Sequence, residues 1–425
     1  MYLLGVTISN IRAIQQLSWR LTDIKQAPGW HVIVGDNGSG KSSFLRAIGL
    51  ALVGPRDATA LRQPWSQWLG HGQQVGRIRL NFIRDHRFDK ISGKGRVRES
   101  SQFTAGLLFR KDDDVEPITL DGYGAERTIW GKGEGWFSAS YGPFRRFRGG
   151  DPEYKKVFYS IPRLGRHLSL FDESVALSEC LEWLQSLRFK QLEKDPEGKF
   201  LAPIRHFINQ DGFLPFGAKL QDITSSSVRF VDGNSAVVDV ENLSDGYRSI
   251  LSLTFELIRQ MATVYGADAV FDQSDPTTVA APGVVLIDEI DAHLHPTWQR
   301  RVGVWFRKHF PNVQFIVTTH SPIVCQAADH GTVYRLPSPG TEEKGRFVKG
   351  IELKRLLYGS ILDAYSTEIF GDGITRSAIA RAYLDELAQL NIKEMDDGLS
   401  PEDKKRQAEL RSILPAEAFS TPEVS

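Results

Sequence analysis

The stretch His31-Val32-Ile33-Val34-Gly35-Asp36-Asn37-Gly38-Ser39-Gly40-Lys41-Ser42-Ser43 organises the chain. Its first four residues have an apolar, β-branched bias and predict a strand buried on both faces, while the apolar periodicity from Phe44 to Leu52 predicts a helix. The turn between them fits G-x-x-x-x-G-K-[ST], the phosphate-binding loop. Because a strand before and a helix after are the context this motif requires, the stretch predicts a phosphate site rather than an incidental Gly-rich turn.

The residue types of this loop suit phosphate chemistry. Glycines let backbone N–H groups converge on a phosphate, and the helix N-terminus adds partial positive charge. Lys41 supplies a mobile cation, and the Ser42 hydroxyl is suited to ligate Mg²⁺. The predicted phosphate-loop residues are Gly35, Asn37, Gly38, Ser39, Gly40, Lys41, Ser42 and Ser43.

Composition limits the classes of function. With 425 residues, 41% of them hydrophobic, the chain can bury a large core in two or three domains. The 52 basic and 52 acidic residues cancel, so contact with nucleic acid or membrane would need local patches. Two cysteines, Cys180 and Cys325, are too few for a metal site or a disulfide framework. Without a long apolar run or a signal peptide, we expect a cytoplasmic protein with no membrane contact.

The order of predicted elements indicates an α/β protein in four parts. Residues 1–150 begin with strands and carry the phosphate loop, and residues 151–266 form a mainly helical lobe inserted into the first domain. The sheet resumes in residues 267–352, and residues 353–425 form a helical extension with a tail. The predicted elements include a helix ending at Gly54-Pro55, a strand Gly76–Ile83, a helix Ser174–Leu192, a hairpin over 228–240, strands Val284–Ile287 and Val313–Thr318, and helices Leu356–Phe370, Ile374–Leu390 and Pro401–Leu414.

Two carboxylates, Asp288 and Glu289, directly follow the apolar run Val284–Ile287. Ligands bind at the carboxyl ends of strands in open α/β sheets, which is also where the phosphate loop lies. Asp288 is suited to hold Mg²⁺ through water, and Glu289 to orient and deprotonate an attacking water. Either carboxylate alone would equally serve as a helix cap, but the pair in this context predicts hydrolytic chemistry.

Two further segments complete the set. His320 follows the strand-like run Val313–Thr318 and can reach a γ-phosphate, although a lone His after a strand is often structural. Leu243-Ser244-Asp245-Gly246 begins a helix with Ser244 as its cap. An exposed helix N-terminus binds anions, yet this segment alone is only a capped helix.

Together and in this order, these segments resemble the ATP-binding cassette superfamily. Gly35–Ser42 matches its Walker A motif, Leu243–Gly246 its signature, Leu286–Glu289 its Walker B motif and His320 its switch histidine. The phrases Leu286-Ile287-Asp288-Glu289-Ile290-Asp291-Ala292-His293-Leu294-His295-Pro296 and Thr319-His320-Ser321-Pro322 are similar to the chromosome-maintenance (SMC), RecF-like and overcoming-lysogenization (OLD) branch, as is the opening Ile8–Ile14. The resemblance covers about residues 1–335 and implies an ABC-type ATPase head, a mixed sheet around the phosphate loop with a helical lobe.

The resemblance also implies how such a protein works. Two ATP molecules, each with Mg²⁺, are sandwiched between two subunits, so the chain should form a homodimer or a larger oligomer. Ser244, Asp245 and Gly246 would serve the partner's nucleotide, and Asp291 would lie in the subunit-crossing loop. The implied catalytic residues are Lys41, Glu289 and His320, with Ser42 and Asp288 on Mg²⁺.

The sequence departs from the family pattern in three places. The strand Phe137–Tyr141 continues into Gly142-Pro143-Phe144-Arg145-Arg146 and lacks the glutamine of the family's glutamine loop. The region between loop and signature contains no heptad insertion, and the 105 residues after His320 contain no acidic cluster of a Toprim nuclease. The chain therefore resembles stand-alone ATPase subunits of bacterial anti-phage systems, such as the Septu type that works with an HNH nuclease, and a nuclease or other effector would be a separate chain.

Alternatives remain at this level. A transporter subunit would need a coupling surface and a glutamine loop, and a RecF-type repair ATPase would bind DNA directly. An ATP-dependent clamp would hydrolyse little ATP.

The C-terminal helices have apolar faces that suit packing on the body of the protein or binding a partner. Basic residues that could contact nucleic acid, or simply pair with nearby acids, are Arg84, Arg87, Lys90, Lys94, Arg96, Arg98, Arg145, Arg146 and Arg148.

Overall fold

The computed structural model describes residues 1–93, 102–111, 118–121, 124–131, 134–360, 364, 365, 367, 369, 378–396 and 398–414. Lys94, Arg96 and Arg98 lie outside the described residues. The chain divides into two compact units, Met1–Ala364 and Tyr365–Ser425.

The strands are β1 (Tyr2–Ile11), β2 (Ile14–Arg20), β3 (Gly29–Val34), β4 (Val75–Ile83), β5 (Phe103–Arg110), β6 (Ile118–Asp121), β7 (Ser138–Tyr141), β8 (Lys219–Ile223), β9 (Val228–Val231), β10 (Val237–Asp239), β11 (Gly283–Ile287), β12 (Val313–Thr318), β13 (Gly331–Arg335) and β14 (Arg346–Phe347). The helices are α1 (Lys41–Val53), α2 (Pro55–Ala58), α3 (Pro152–Ser160), α4 (Pro162–Gly165), α5 (Leu168–Phe171), α6 (Glu179–Leu192), α7 (Leu201–Ile208), α8 (Asp245–Tyr265), α9 (Pro296–His309), α10 (Pro322–Cys325), α11 (Gly350–Tyr358), α12 (Ala378–Asp396) and α13 (Pro401–Ile413).

The predicted strand, loop and helix at the phosphate loop are confirmed. All six residues of β3 are buried, as expected for a strand covered on both faces. Helix α1 ends at Val53, where Gly54 adopts a φ of 89° that favours glycine. A Cβ on Gly54 would also lie 2.8 Å from the Trp130 ring, so glycine is required there on both counts.

A six-stranded sheet aligns the ends of its strands along one edge. Its order is β14-β13-β3-β12-β11-β7, and all neighbours pair in parallel except β13 and β14. β3 therefore delivers the phosphate loop, β11 delivers Asp288, and β12 delivers the segment with His320, to the same edge. The sheet draws β3 and β7 from residues 1–150 and the other four strands from residues 267–352.

Helix α1 lies between this sheet and a second, antiparallel sheet of order β2-β1-β4-β5-β6. The predicted half-buried strand Gly76–Ile83 is confirmed as β4, whose inward side chains Ile78, Leu80 and Phe82 are fully buried. Leu45 and Ile48 of α1 pack in the same apolar core. Burying an apolar side chain of this size contributes roughly 1.5–3 kcal/mol, so α1 and the loop before it are firmly anchored.

The predicted helical lobe also contains a sheet of order β10-β9-β8 that includes the predicted hairpin. The prediction of a helix from Ser174 was wrong at its start, because α6 begins only at Glu179. The Asp172 carboxylate accepts hydrogen bonds from the backbone N and the hydroxyl of Ser174, at 2.8 and 2.6 Å. This local turn competes with the helical hydrogen bonds and delays the helix.

The helical extension differs in detail from the prediction. Helix α11 begins at Gly350 and ends at Tyr358, so the predicted start at Leu356 is wrong, and part of the remainder of that predicted helix, up to Phe370, lies outside the described residues. Leu356 is fully buried in the first unit. In the second unit, α12 and α13 share a small apolar cluster around Leu387 and Leu410. An ion pair of 2.8 Å between Arg406 and Glu386 also joins these two helices. Within the described residues, no helix has the length and apolar character needed to cross a membrane.

Two buried histidines are expected to make the folded state less stable at acidic pH. The His31 ring contacts Thr332 Oγ1 through Nδ1 and the Ala27 carbonyl through Nε2, and burial lowers its pKa to about 4. His167 lies between the hydroxyls of Ser138 and Ser140, and burial lowers its pKa well below the usual value. Below about pH 6.5 these histidines gain protons only in the unfolded chain, so stability falls as the pH falls.

For His31 alone, we expect a loss of about 3 kcal/mol in the free energy of unfolding between about pH 6.5 and pH 4. Urea unfolding at a series of pH values measures it. A His31→Gln variant should be less stable at neutral pH but lose less on acidification. An unfolding free energy that stays constant as the pH falls from neutral to about 5 would contradict this expectation.

Candidate functional site

The phosphate loop is shaped by its glycines and by the first residue of α1. Gly40 is the N-cap of α1 with a φ of 95°, and a Cβ on Gly35 would lie 2.7 Å from Ser39 Oγ. Lys41 is 7% exposed, and its Nζ donates to the carbonyl oxygens of Gly35 and Asp36 at 2.7 and 3.0 Å. The lysine therefore lies folded across the inside of the loop.

Several polar groups of this loop are available to bind a ligand. The Ser39 hydroxyl is buried and has no hydrogen-bond partner among the described residues. No side chain in the described part of the chain caps the N-terminus of α1, so its first-turn N–H groups are open to an anion. Ser42 and Ser43 follow Lys41 in this first turn and are partly exposed. The donor set fits the phosphates of a nucleotide.

Thr318, the last residue of β12, holds the two carboxylates that follow β11. Its hydroxyl donates to Asp288 Oδ1 at 2.5 Å and accepts from the backbone N of Glu289 at 2.8 Å. Asp288 is 2% exposed, whereas Glu289 is partly exposed. Glu289 has a φ of 44°, a left-handed conformation that is uncommon for a residue with a side chain. The backbone is thus strained at Glu289, the predicted catalytic carboxylate, and the Thr318 hydroxyl fixes this turn by hydrogen bonds.

A second threonine ties the next acid to the same strand end. Thr319 Oγ1 donates to Asp291 Oδ1 at 2.6 Å and accepts from the backbone N of Ser321 at 2.9 Å. His320 lies between Thr319 and Ser321 in the chain, and its side chain is exposed. Asp291 and His320 are therefore brought to one place, with the imidazole free to approach a ligand.

Electrostatics link the phosphate loop to the carboxylates. Burial lowers the pKa of Lys41, and the negative charges of Asp288, Glu289, Asp36 and Asp291 oppose this shift. The cation and the acids are therefore close enough to interact across the sheet edge. The structure thus brings Lys41 of the predicted Walker A loop near Asp288 and Glu289 of the predicted Walker B motif.

The predicted signature begins helix α8. Ser244 is its N-cap and is exposed, but its hydroxyl makes no capping bond to any described residue. A Cβ on Gly246 would lie 3.0 Å from the carbonyl oxygen of His293, so glycine allows the helix start to approach the loop after Glu289. Tyr247 donates to the Pro215 carbonyl at 2.9 Å. Ser244 and Asp245 thus face outward from a well-supported helix end.

The structure corrects the predicted role of Arg145. Instead of facing nucleic acid, its side chain is 4% exposed and donates to the backbone carbonyls of Asp288 and Glu289, in the turn after β11 that we call the Walker B turn (residues 288–290). Burial lowers its pKa to about 10, while the charges of Asp288, Asp291 and Glu289 oppose the shift, so it stays cationic at neutral pH. Arg145 is therefore a packed residue of this segment and does not form a nucleic-acid surface.

Most of the other basic candidates that the structure describes have partners within the chain. Arg87 pairs with Asp85, Lys90 with Glu134 and Arg148 with Glu241. Arg146 donates to the carbonyl oxygens of Gly149 and Glu173 at 3.2 and 3.0 Å. Arg84 is partly buried.

Sequence reasoning did not identify Thr318 as a site residue. The available signal is that Thr318 and Thr319 end an otherwise apolar strand immediately before His320. We expect Thr318→Val to lower the ATP turnover that the family resemblance implies, because it removes the hydroxyl between Asp288 and Glu289 and leaves the Glu289 N–H unsatisfied. The cost of such a loss is roughly 1–3 kcal/mol, or about 5- to 150-fold if it falls on the transition state.

Steady-state phosphate release by Thr318→Val and Thr318→Ser tests this role. The serine variant keeps the hydroxyl and should keep most of the activity. Equal rates for the valine variant and the wild type would show that the bridge between the carboxylates is dispensable.

Comparisons with known proteins identify the class. The model of the family described as "AAA domain, putative AbiEii toxin, Type IV TA system" matches residues 31–325, and the chain belongs to this family. The matched region runs from β3 through α10 and so includes both Walker motifs, the signature helix and His320.

Two curated proteins are similar to this chain over more than half of its length. The chain is 28% identical over 377 residues to a Septu protein PtuA of Bacillus mycoides, covering 85% of this chain and 45% of that protein. It is 25% identical over 347 residues to the Retron Vc95 probable ATPase of Vibrio cholerae, covering 69% of this chain and 66% of that protein. The chain thus spans less than half of the Septu relative and about two thirds of the retron relative.

A solved structure confirms the predicted fold class. The Smc head crystallised with the C-terminal winged-helix domain of ScpA is similar with a TM-score of 0.50 and 17% identity, over 82% of this chain and 98% of that one. The chain therefore has the fold of an Smc head.

Proposed function

We propose that this protein hydrolyses ATP and that ATP joins two copies of the chain. The observation that carries this proposal is the edge of the six-stranded sheet, where Lys41 in the phosphate loop interacts with Asp288 and Glu289 of the strand end. Hydrolysis of a phosphoanhydride needs phosphate binding, charge neutralisation and an activated water. We assign each of these tasks to residues at this edge.

Each residue of the site has a separate role in the proposed hydrolysis of ATP. The loop N–H groups and Lys41 bind the phosphates, and Ser39 donates its free hydroxyl. Glu289 accepts the proton of the attacking water, while His320 donates to the γ-phosphate from its exposed position. Ser42 and Asp288 would hold Mg²⁺, which neutralises phosphate charge when bound.

Assembly follows from the placement of the signature. Ser244, Asp245 and Gly246 begin a 21-residue helix whose N-terminus is exposed and uncapped within the described part of the chain. Such an end binds anions, and we propose that it binds the γ-phosphate of the ATP held by a second copy. Asp291 then lies in the loop that crosses between the subunits.

We further propose a role in anti-phage defence through a separately encoded effector, such as a nuclease. The support is the similarity to a Septu protein and a retron ATPase, and the position of the family match within the first compact unit. Direct DNA binding of the RecF kind is less well supported, because Arg87, Lys90 and Arg148 pair with acids of the chain.

Phosphate release from ATP by the purified wild type and by Lys41→Ala tests the central activity. We expect turnover by the wild type and only background release by Lys41→Ala, since the cation inside the loop is lost. Lys25→Ala, which changes an exposed lysine, is the matched control. A wild-type rate no higher than that of Lys41→Ala would overturn the proposed ATPase.

A further inference from the structure

Arg145 occupies the place where the family resemblance leads one to expect a glutamine. It lies four residues beyond the end of β7, the edge strand that pairs in parallel with β11. Its guanidinium is enclosed, with Nη1 donating to the carbonyls of Gly142 at 2.8 Å and Asp288 at 2.9 Å. The other terminal nitrogen, Nη2, donates to the carbonyls of Glu289 and Ile290 at 3.0 and 3.4 Å.

These contacts hold the backbone of the Walker B turn. Three successive carbonyls of this turn, those of Asp288, Glu289 and Ile290, accept from one planar guanidinium. Only arginine presents several donors in a fixed fork that meets such a set at once. The residue in the middle, Glu289, has the strained φ of 44°, and a strained backbone persists only where its surroundings fix it.

The remaining donor reaches a different element. Arg145 Nε donates to Ser249 Oγ at 3.0 Å, and Ser249 is fully buried on α8. This residue lies about one helical turn after Ser244, Asp245 and Gly246. One side chain therefore contacts both the helix that carries the signature and the turn that carries Glu289.

We propose that Arg145 is a positioning residue that aims the Glu289 carboxylate and makes its aim depend on the placement of the signature helix. The argument rests on the proposed ATPase function. When α8 meets the nucleotide of a second copy, a small shift of Ser249 is transmitted through Arg145 Nε to the carbonyls of Asp288 and Glu289. Catalysis is thereby tied to assembly through a single buried guanidinium, without the glutamine that the chain lacks at this place.

Two variants test the two ends of this link. Arg145→Lys keeps a cation but loses the fork, and we expect kcat to fall roughly 10²-fold, the scale of a small misplacement of a catalytic group. Ser249→Ala keeps all the carbonyl contacts and removes only the acceptor on α8, and we expect kcat to fall about tenfold. In both variants the KM for ATP and the Kd for a non-hydrolysable ATP analogue should stay at the wild-type values.

Arg146→Lys is the matched control, because the neighbouring arginine donates to the carbonyls of Gly149 and Glu173. It should keep the wild-type kcat. A purely structural role for Arg145 would lower the melting temperature of its variant without changing the kcat of the folded fraction. If Arg145→Lys does not fold, Ser249→Ala alone decides the question.

The outcomes separate this inference from the proposed function. An active wild type, an inactive Glu289→Gln and a folded Arg145→Lys or Ser249→Ala with wild-type kcat would overturn the positioning role only. A wild type without ATP turnover would overturn the proposed function itself.

Discussion

Replacement of Glu289 by glutamine is expected to stop ATP turnover while leaving ATP binding intact. The amide has nearly the same shape but cannot accept the proton of the attacking water, and the loss of a general base lowers a rate by about 10²- to 10⁴-fold. The backbone contacts of residue 289 with Thr318 and Arg145 do not involve the side chain and should persist. Phosphate release and the Kd for ATP measure the two halves of this expectation.

The same variant should accumulate an ATP-dependent dimer. If hydrolysis releases the two copies, a chain that binds but does not hydrolyse ATP stays assembled, which light scattering coupled to size-exclusion chromatography detects. Glu197→Gln, a change at an exposed glutamate, is the control and should behave as the wild type. A Glu289→Gln variant that turns over ATP at a rate close to the wild type would show that another group activates the water.

Replacement of Ser244 by glutamate is expected to remove both ATP-dependent assembly and turnover. The added carboxylate would face the γ-phosphate of the second copy and repel it. A negative charge at a helix N-terminus is favourable to the helix, so folding should not suffer. The residue is exposed and its hydroxyl makes no capping bond to the described residues, so little is lost within the chain itself.

Ser244→Ala separates charge from the loss of the hydroxyl. It removes one hydrogen bond to a charged phosphate, worth about 1.5–3 kcal/mol, and should weaken assembly without abolishing it. ATP binding by the isolated chain should be unchanged in both variants, because the phosphate loop is intact. Normal ATP-dependent assembly of Ser244→Glu would mean that the exposed end of α8 does not meet a nucleotide.

The part of the site that local patterns determine could be predicted from the sequence. The apolar run of β3, the glycines of the loop and the periodicity of α1 all lie within about 23 consecutive residues, Trp30 to Leu52, and each reinforces the others. The acids after β11 are equally local, since a continuous apolar run marks a buried parallel strand whose end lies at the ligand edge.

The role of Arg145 could not be predicted in this way. Arginines beside aromatic residues are typical of phosphate and base binding, and nothing local shows that one of them turns inward. Its partner Asp288 is 143 residues away in the chain, and the pairing of β7 with β11 brings the two together. Thr318 was missed for a similar reason, because a threonine that ends a strand has no distinguishing pattern until its neighbour strand is known.

The most direct test of the composite site is to mix two inactive variants, Lys41→Ala and Ser244→Glu. Each homodimer has two defective sites, whereas a mixed dimer has one intact site, formed by the phosphate loop of one chain and the signature of the other. For an equimolar mixture with random pairing, we expect up to about a quarter of the wild-type activity. Activity no greater than the sum of the two separate variants would contradict a nucleotide site shared between two copies.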